Sequence, residues 1–200
     1  MKMLKLRELT MEHHKNAERS NFAKKLVSGK IKRSEYAAYL CNMWRVYNCL
    51  EMCAVKYNLF EGIGAIKRAK LIKMDYLDMV GLKKELTDDV YTCNTTLEYI
   101  DYLSPLEDPE KLLAHIYVRH MGDLSGGQII AKKLRGKFPI KFYMFSEDTE
   151  VLKDKLREKL NNDMADEAMV AFDYAHKIFL ELDMLFNDNS KPEGNSETSK

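Results

Sequence analysis

The sequence predicts an all-α fold, a single-domain helical bundle, on three observations. Apolar residues recur at helical spacing through most of the chain, prolines number only four, and long stretches run without glycine. A chain of 200 residues is long enough for one domain with a substantial core.

The elements follow in order. A first helix is expected over about 4–18, with Leu4, Leu6, Leu9 and Met11 as its apolar set, and a short one over about 20–28 ends at Gly29. Ser34 is the expected N-cap of a long helix reaching about Tyr57, with Tyr36, Tyr39, Leu40, Met43, Val46, Tyr47 and Leu50 at helical spacing. Another is expected over about 64–84. Asp108-Pro109-Glu110 has proline at a first helical position with acids around it, so a helix runs from there to about Arg135. Residues 136–145, around Pro139, form a loop, and Ser146 is expected to cap the next helix. A last helix covers about Asp163 to Phe186. The domain is therefore placed at 1–186, and the polar stretch 187–200 is expected to be a disordered tail.

Composition excludes several function classes. Net charge is +1, which favours neither nucleic acid nor an anionic membrane as partner. No apolar run approaches the roughly 18 residues of a membrane span, and the N-terminus lacks the apolar run of a signal peptide. The expected location is the cytoplasm, the host's if the chain is phage-encoded, and the expected state is a monomer. Cys41, Cys49, Cys53 and Cys93 form no Cys-x-x-Cys pair and are expected to be reduced and largely buried.

One stretch breaks the helical pattern. Arg119-His120-Met121-Gly122-Asp123-Leu124-Ser125-Gly126-Gly127-Gln128 puts three glycines and a carboxylate inside a helix. Each glycine costs roughly 1 kcal/mol against alanine there. Bare backbone permits close approach of a flat ligand or another helix, and permits bending. His14 has Glu18 four residues on, where a carboxylate can orient one ring nitrogen and leave the other for a metal. Arg7 lies seven residues before His14, about 10.5 Å along a continuous helix. Lys153 and Arg157 form a second basic pair at helical spacing, either a solvated face or a clamp for carboxylates. His13 is expected to be solvated.

Together these residues carry a resemblance. Gly122-Asp123-Leu124-Ser125-Gly126-Gly127-Gln128 resembles the signature of haem oxygenases, and His14-Lys15-Asn16-Ala17-Glu18 resembles that family's proximal-histidine segment. The resemblance covers about residues 5–185, including Tyr47-Asn48-Cys49-Leu50-Glu51 and Tyr117-Val118-Arg119. The short chain without a C-terminal anchor looks like the bacterial, cyanobacterial or phage branch.

The resemblance implies a helical bundle with haem between a proximal helix and a kinked, glycine-rich distal helix. It implies haem b as both cofactor and substrate, with O2 and seven electrons giving biliverdin (the IX-alpha isomer), carbon monoxide and Fe2+. His14 would be the axial iron ligand, oriented by Glu18. Gly122, Gly126 and Gly127 would let the distal helix lie close to the macrocycle. Asp123 would be the catalytic residue, holding a water network that delivers protons, with Tyr47 and Arg119 in the same network. Arg7, Lys153 and Arg157 would hold the propionates, and Tyr117 would lie beside a propionate or the haem edge. Two positions depart from the family pattern: Met11 replaces a polar residue, and Ala175 stands where relatives carry asparagine in the last helix. Tyr174 or His176 is the candidate replacement for that asparagine.

No flavin, nicotinamide or iron–sulfur motif is present, so the resemblance implies an external reductant, a ferredoxin in this branch, with a bilin reductase as candidate consumer of the product. Lys24, Lys25, Lys30, Lys32 and Arg33 are candidates for docking an acidic donor. The competing reading is a non-enzymatic haem-binding or delivery protein, which would not need Asp123. A helical enzyme acting on thiamin-like substrates would need an activated cysteine, and none is evident. A plain bundle leaves the glycines unexplained, and a membrane dimer is excluded by Arg119 and Asp123.

Overall fold

The computed structural model describes residues 5–81 and 92–188, and among these every regular element is helical. The helices are α1 (Leu6–Leu9), α2 (Met11–Arg19), α3 (Asn21–Ser28), α4 (Arg33–Val55), α5 (Ala69–Val80), α6 (Asn94–Leu103), α7 (Pro109–Leu134), α8 (Thr149–Arg157) and α9 (Ala165–Asp188). Short 3₁₀ turns occur at Gly64–Ile66, Lys141–Tyr143 and Asn162–Met164.

α4, α7 and α9 form the frame. α4 packs against α5, α6 and α7, while α9 packs against α2, α3, α6 and α7. The core between them is rich in aromatics: Phe22, Tyr36, Tyr47, Tyr76, Tyr99, Phe142 and Tyr143 are all fully buried. α3 begins at Ser20, whose Oγ accepts from Ala23 N, and ends at Gly29 with φ +69°. That glycine is required twice, because a Cβ there would also stand 2.9 Å from Lys133 Cβ. It is the point where the end of α3 meets the end of α7.

Several boundaries differ from the sequence expectation. The first helix divides at Thr10, whose hydroxyl turns back to Leu6 O at 2.9 Å, and Leu9 is 52% exposed. α4 starts one residue before Ser34. Glu35 closes its first turn by accepting from Lys32 N at 2.6 Å, so Ser34 is not the cap. α8 is capped by Asp148, which accepts from Glu150 N and Val151 N, and not by Ser146. The helix expected over 64–84 is a 3₁₀ turn followed by α5, and its last residues lie outside the described region. α6 was not anticipated. α9 continues through Asn187 and Asp188, and the rest of the expected tail, 189–200, lies outside the described residues.

Candidate functional site

α7 carries the centre of the site. Asp108 caps it, Pro109 occupies its first turn, and the helix is continuous through all three glycines. The glycines face two different environments. A Cβ on Gly122 or Gly126 would meet nothing within 4 Å, so these two, four apart, leave a bare strip of helix facing open space. A Cβ on Gly127 would stand 2.8 Å from Tyr143 Cδ1, so that glycine serves packing. The expected common role for the three is thereby divided. Ligand-free Gly127→Ala is expected to lose roughly 1–3 kcal/mol to overpacking. Gly122→Ala and Gly126→Ala should each gain up to about 1 kcal/mol of helix propensity. Thermal melts without ligand check the opposite signs.

Asp123 lies next to the bare strip and is only 6% exposed. The Tyr47 hydroxyl, from α4, donates to its Oδ2 at 2.7 Å. Burial pushes the Asp123 carboxyl up to about 7, against the pull of His120, the Tyr47 hydroxyl, Arg68 and Arg119. The folded protein then keeps this proton to about pH 7, whereas an unfolded chain releases it near pH 4. Between those values the folded state binds more protons, so this group's contribution to stability falls as pH rises. Ligand-free Asp123→Asn should therefore gain on the parent between about pH 4 and about pH 7, by up to a few kcal/mol. Urea unfolding at each pH reads this, and a parent–variant difference that stays flat would contradict it.

Arg119 is 7% exposed and makes no hydrogen bond to Asp123. Its Nη1 points at Met43 Sδ at 3.9 Å, its centre lies 5.3 Å above the Tyr99 ring, and its Nε and Nη2 are buried without a protein partner. A direct Arg119–Asp123 link is thus absent, but two donors remain for a bound group or water.

His14 sits on α2 with its side chain 40% exposed, its ring edge-on to Phe172 of α9 at 5.4 Å, and its Nδ1 3.5 Å from Glu18 Oε2. The break at Thr10 removes the single straight helix on which the Arg7–His14 spacing rested. Arg7 nevertheless belongs with Tyr117. Burial raises the Tyr117 phenol, while the Thr10 hydroxyl, Arg7 and Arg157 draw it back. Arg7, Arg157 and Tyr117 thus share one neighbourhood. Lys153 and Arg157 pair with Glu150 at 2.7 Å and Asp154 at 2.5 Å, so a ligand carboxylate would share or compete for these cations.

His13 is partly exposed, and its Nδ1 also meets the exposed Asp173 Oδ1 at 2.7 Å, which ties α2 to α9. Ala175 is buried. Tyr174 stacks on Tyr99 with centroids 4.4 Å apart, and His176 lines a shallow hollow with Asn16, Arg19 and Asp183. His115 is structural. It bridges Tyr99 and Glu167 at 2.7 and 2.9 Å, and its hydrogen bond is the main cause that holds the Glu167 carboxyl down at about 2. Sequence reasoning gave no role to Gln128 or Tyr143, which back Asp123 from behind. The only signal for Gln128 was its place in the glycine motif.

The arrangement offers a partly exposed imidazole on α2, a bare strip on α7, a buried protonatable carboxyl, and cations beside a tyrosine. These fit a flat, metal-bearing, dicarboxylate macrocycle. No helix of the described residues is long and apolar enough to cross a membrane.

Comparisons with known proteins converge on one family. The family profile described as heme oxygenase matches residues 3–185. A heme oxygenase of Pyropia yezoensis is 30% identical over 88% of this chain and 84% of its own length. The crystal structure of heme oxygenase-1 from Synechocystis sp. PCC 6803 in complex with heme superposes with a TM-score of 0.79 at 26% identity, covering 93% of this chain and 98% of that one. The heme oxygenase of Leptospira interrogans superposes with a TM-score of 0.77 at 30% identity, covering 88% and 96%.

Proposed function

The chain belongs to the haem oxygenase family, whose function is the degradation of haem to biliverdin, and from that premise we propose which of its residues do the work. His14 binds the iron through its free ring nitrogen, and Glu18 holds the other. Gly122 and Gly126 admit the macrocycle against the α7 backbone. Arg7, Lys153 and Arg157 would hold the propionates, with Tyr117 beside them, and so would set which meso carbon is oxidised. When bound, haem supplies both the iron that activates O2 and the carbon that is oxidised.

Asp123 manages the protons. A carboxyl raised to about 7 holds and releases a proton near neutrality, the condition for general acid catalysis. Tyr47 fixes its rotamer, and the buried Nε and Nη2 of Arg119 would be available to hold water in the same network. The observation that carries this reading is the buried Asp123–Tyr47 pair beside the bare strip of α7. A haem carrier has no use for that pair, so the enzyme is favoured over the carrier.

On this reading the seven electrons per haem come from an external donor, since the sequence carries no flavin, nicotinamide or iron–sulfur motif. We assign this to a ferredoxin-class donor. Of the candidate docking residues, Lys25 is held by Glu35 at 2.7 Å and Arg33 by Met79 O. Lys24, Lys30 and Lys32 are exposed, and the Gly29–Lys133 contact brings their segment beside Lys132, Lys133 and Lys137. The test is to load the protein with hemin and add ferredoxin, its reductase and NADPH under air with catalase. Loss of the Soret band with growth of a red bilin band is expected. Turnover should fall with ionic strength. A Soret band that persists despite verified reduction would favour the carrier, and salt-independent turnover would remove the docking surface.

A further inference from the structure

We propose that Gln128 is a positioning residue for Asp123: its carboxamide ties the main chain of Asp123 to that of Tyr143 and so fixes where the carboxyl stands. This rests on the role of Asp123 given above.

Gln128 Nε2 donates to Asp123 O at 3.1 Å and to Tyr143 O at 3.0 Å. A carboxamide has two N–H groups, and this geometry uses both. Asp123 O lies inside α7, so the side chain adds a donor to a carbonyl already within the helical ladder. The far end of the tie is rigid. Asp75 of α5 accepts from Lys141 N at 3.0 Å and Phe142 N at 2.7 Å, and Arg68 donates to Phe142 O at 3.3 Å and Met144 O at 2.6 Å. The Tyr143 ring then closes on the Gly127 backbone, where no Cβ fits. A strut thus runs from α5 through the Lys141–Tyr143 turn to the α7 backbone at Asp123.

Asp123 is therefore held at two points. Tyr47 fixes the carboxyl from α4, and Gln128 fixes the main chain from the opposite side. Gln128 is itself half-buried in that strut and points away from the bare strip on which Gly122 and Gly126 lie. It does not touch the macrocycle, and its effect passes through Asp123. Proton delivery depends steeply on such placement: a displacement of about 1 Å costs on the order of 100-fold.

The test uses Gln128→Leu, which removes both donors, and Gln128→His, which keeps one ring N–H. Haem affinity and thermal stability are measured first. Two further readouts follow: the pH at which the axial water of the ferric haem complex ionises, and the fraction of haem recovered as bilin. In Gln128→Leu we expect haem affinity within severalfold of the parent, an ionisation displaced by about half a pH unit or more, and a bilin yield at least about tenfold lower. Gln128→His should lie between. Loss of stability with parental ionisation and yield would overturn the proposal, as would failure of both variants to fold and bind haem. The ionisation is read without turnover. A parent that makes no bilin therefore defeats the functional reading, while a parental ionisation in both variants defeats this one.

Discussion

Asp123→Ala is expected to abolish bilin formation while leaving haem binding nearly intact. On the proposed reading the carboxyl contributes proton management, worth about 10²–10⁴ in rate for a positioned acid or base, and does not anchor the haem. The Soret titration should stay within severalfold of the parent, and the haem should then be destroyed without yielding biliverdin, or persist. Asp123→Asn refines the result. An amide keeps a partner for Tyr47, whose hydroxyl donates to Oδ2 at 2.7 Å, but it cannot release a proton near neutrality. If it too fails, the protonatable group matters; if it works, position alone suffices. Parental bilin yield from Asp123→Ala would remove this residue from the mechanism.

The second large effect is at the iron. His14→Ala should weaken haem binding by at least about 100-fold, since removing even a supporting partner of a metal ligand costs about 10–100-fold. It should also change the ferric spectrum from that of an imidazole-ligated haem. Added imidazole should restore the spectrum, because the site is open: the His14 side chain is 40% exposed. Glu18→Ala should have a smaller effect of the same kind, as its carboxylate stands 3.5 Å from Nδ1 and only orients the ring. An unchanged spectrum in His14→Ala would mean that another residue ligates the iron.

What the sequence conveyed about this molecule depended on whether the needed signal was local. α3 and α7 were legible because their punctuation lies in their own segments: Gly29 ends one, and Asp108-Pro109 starts the other. α6 was invisible because its N-terminus is closed by Glu181 of α9, which accepts from Asn94 N at 2.6 Å and Thr95 N at 3.0 Å. The same device starts α5, where Glu51 of α4 accepts from Arg68 N and Ala69 N, and supports α3, where Asp183 accepts from Phe22 N. A carboxylate more than a dozen residues away leaves no mark in the segment that it caps. The site divides the same way. Glycine spacing and the His14–Glu18 register could be read directly. The strut through Asp75, Arg68 and Gln128 joins three separate segments and becomes visible only once the helices are packed. Arg119 was placed in the right region, but its burial over Tyr99 in place of a bond to Asp123 reflects where α6 stands.

The division among the glycines has a consequence for descent. On the proposed reading Gly122 and Gly126, which face open space, answer to the guest, whereas Gly127 answers to Tyr143. A lineage that kept this bundle but gave up haem would be released at the first two positions, where alanine improves the helix, and would stay bound at the third. In such descendants the motif should erode unevenly, with Gly127 outlasting its neighbours as the trace of a scaffold that has outlived its ligand.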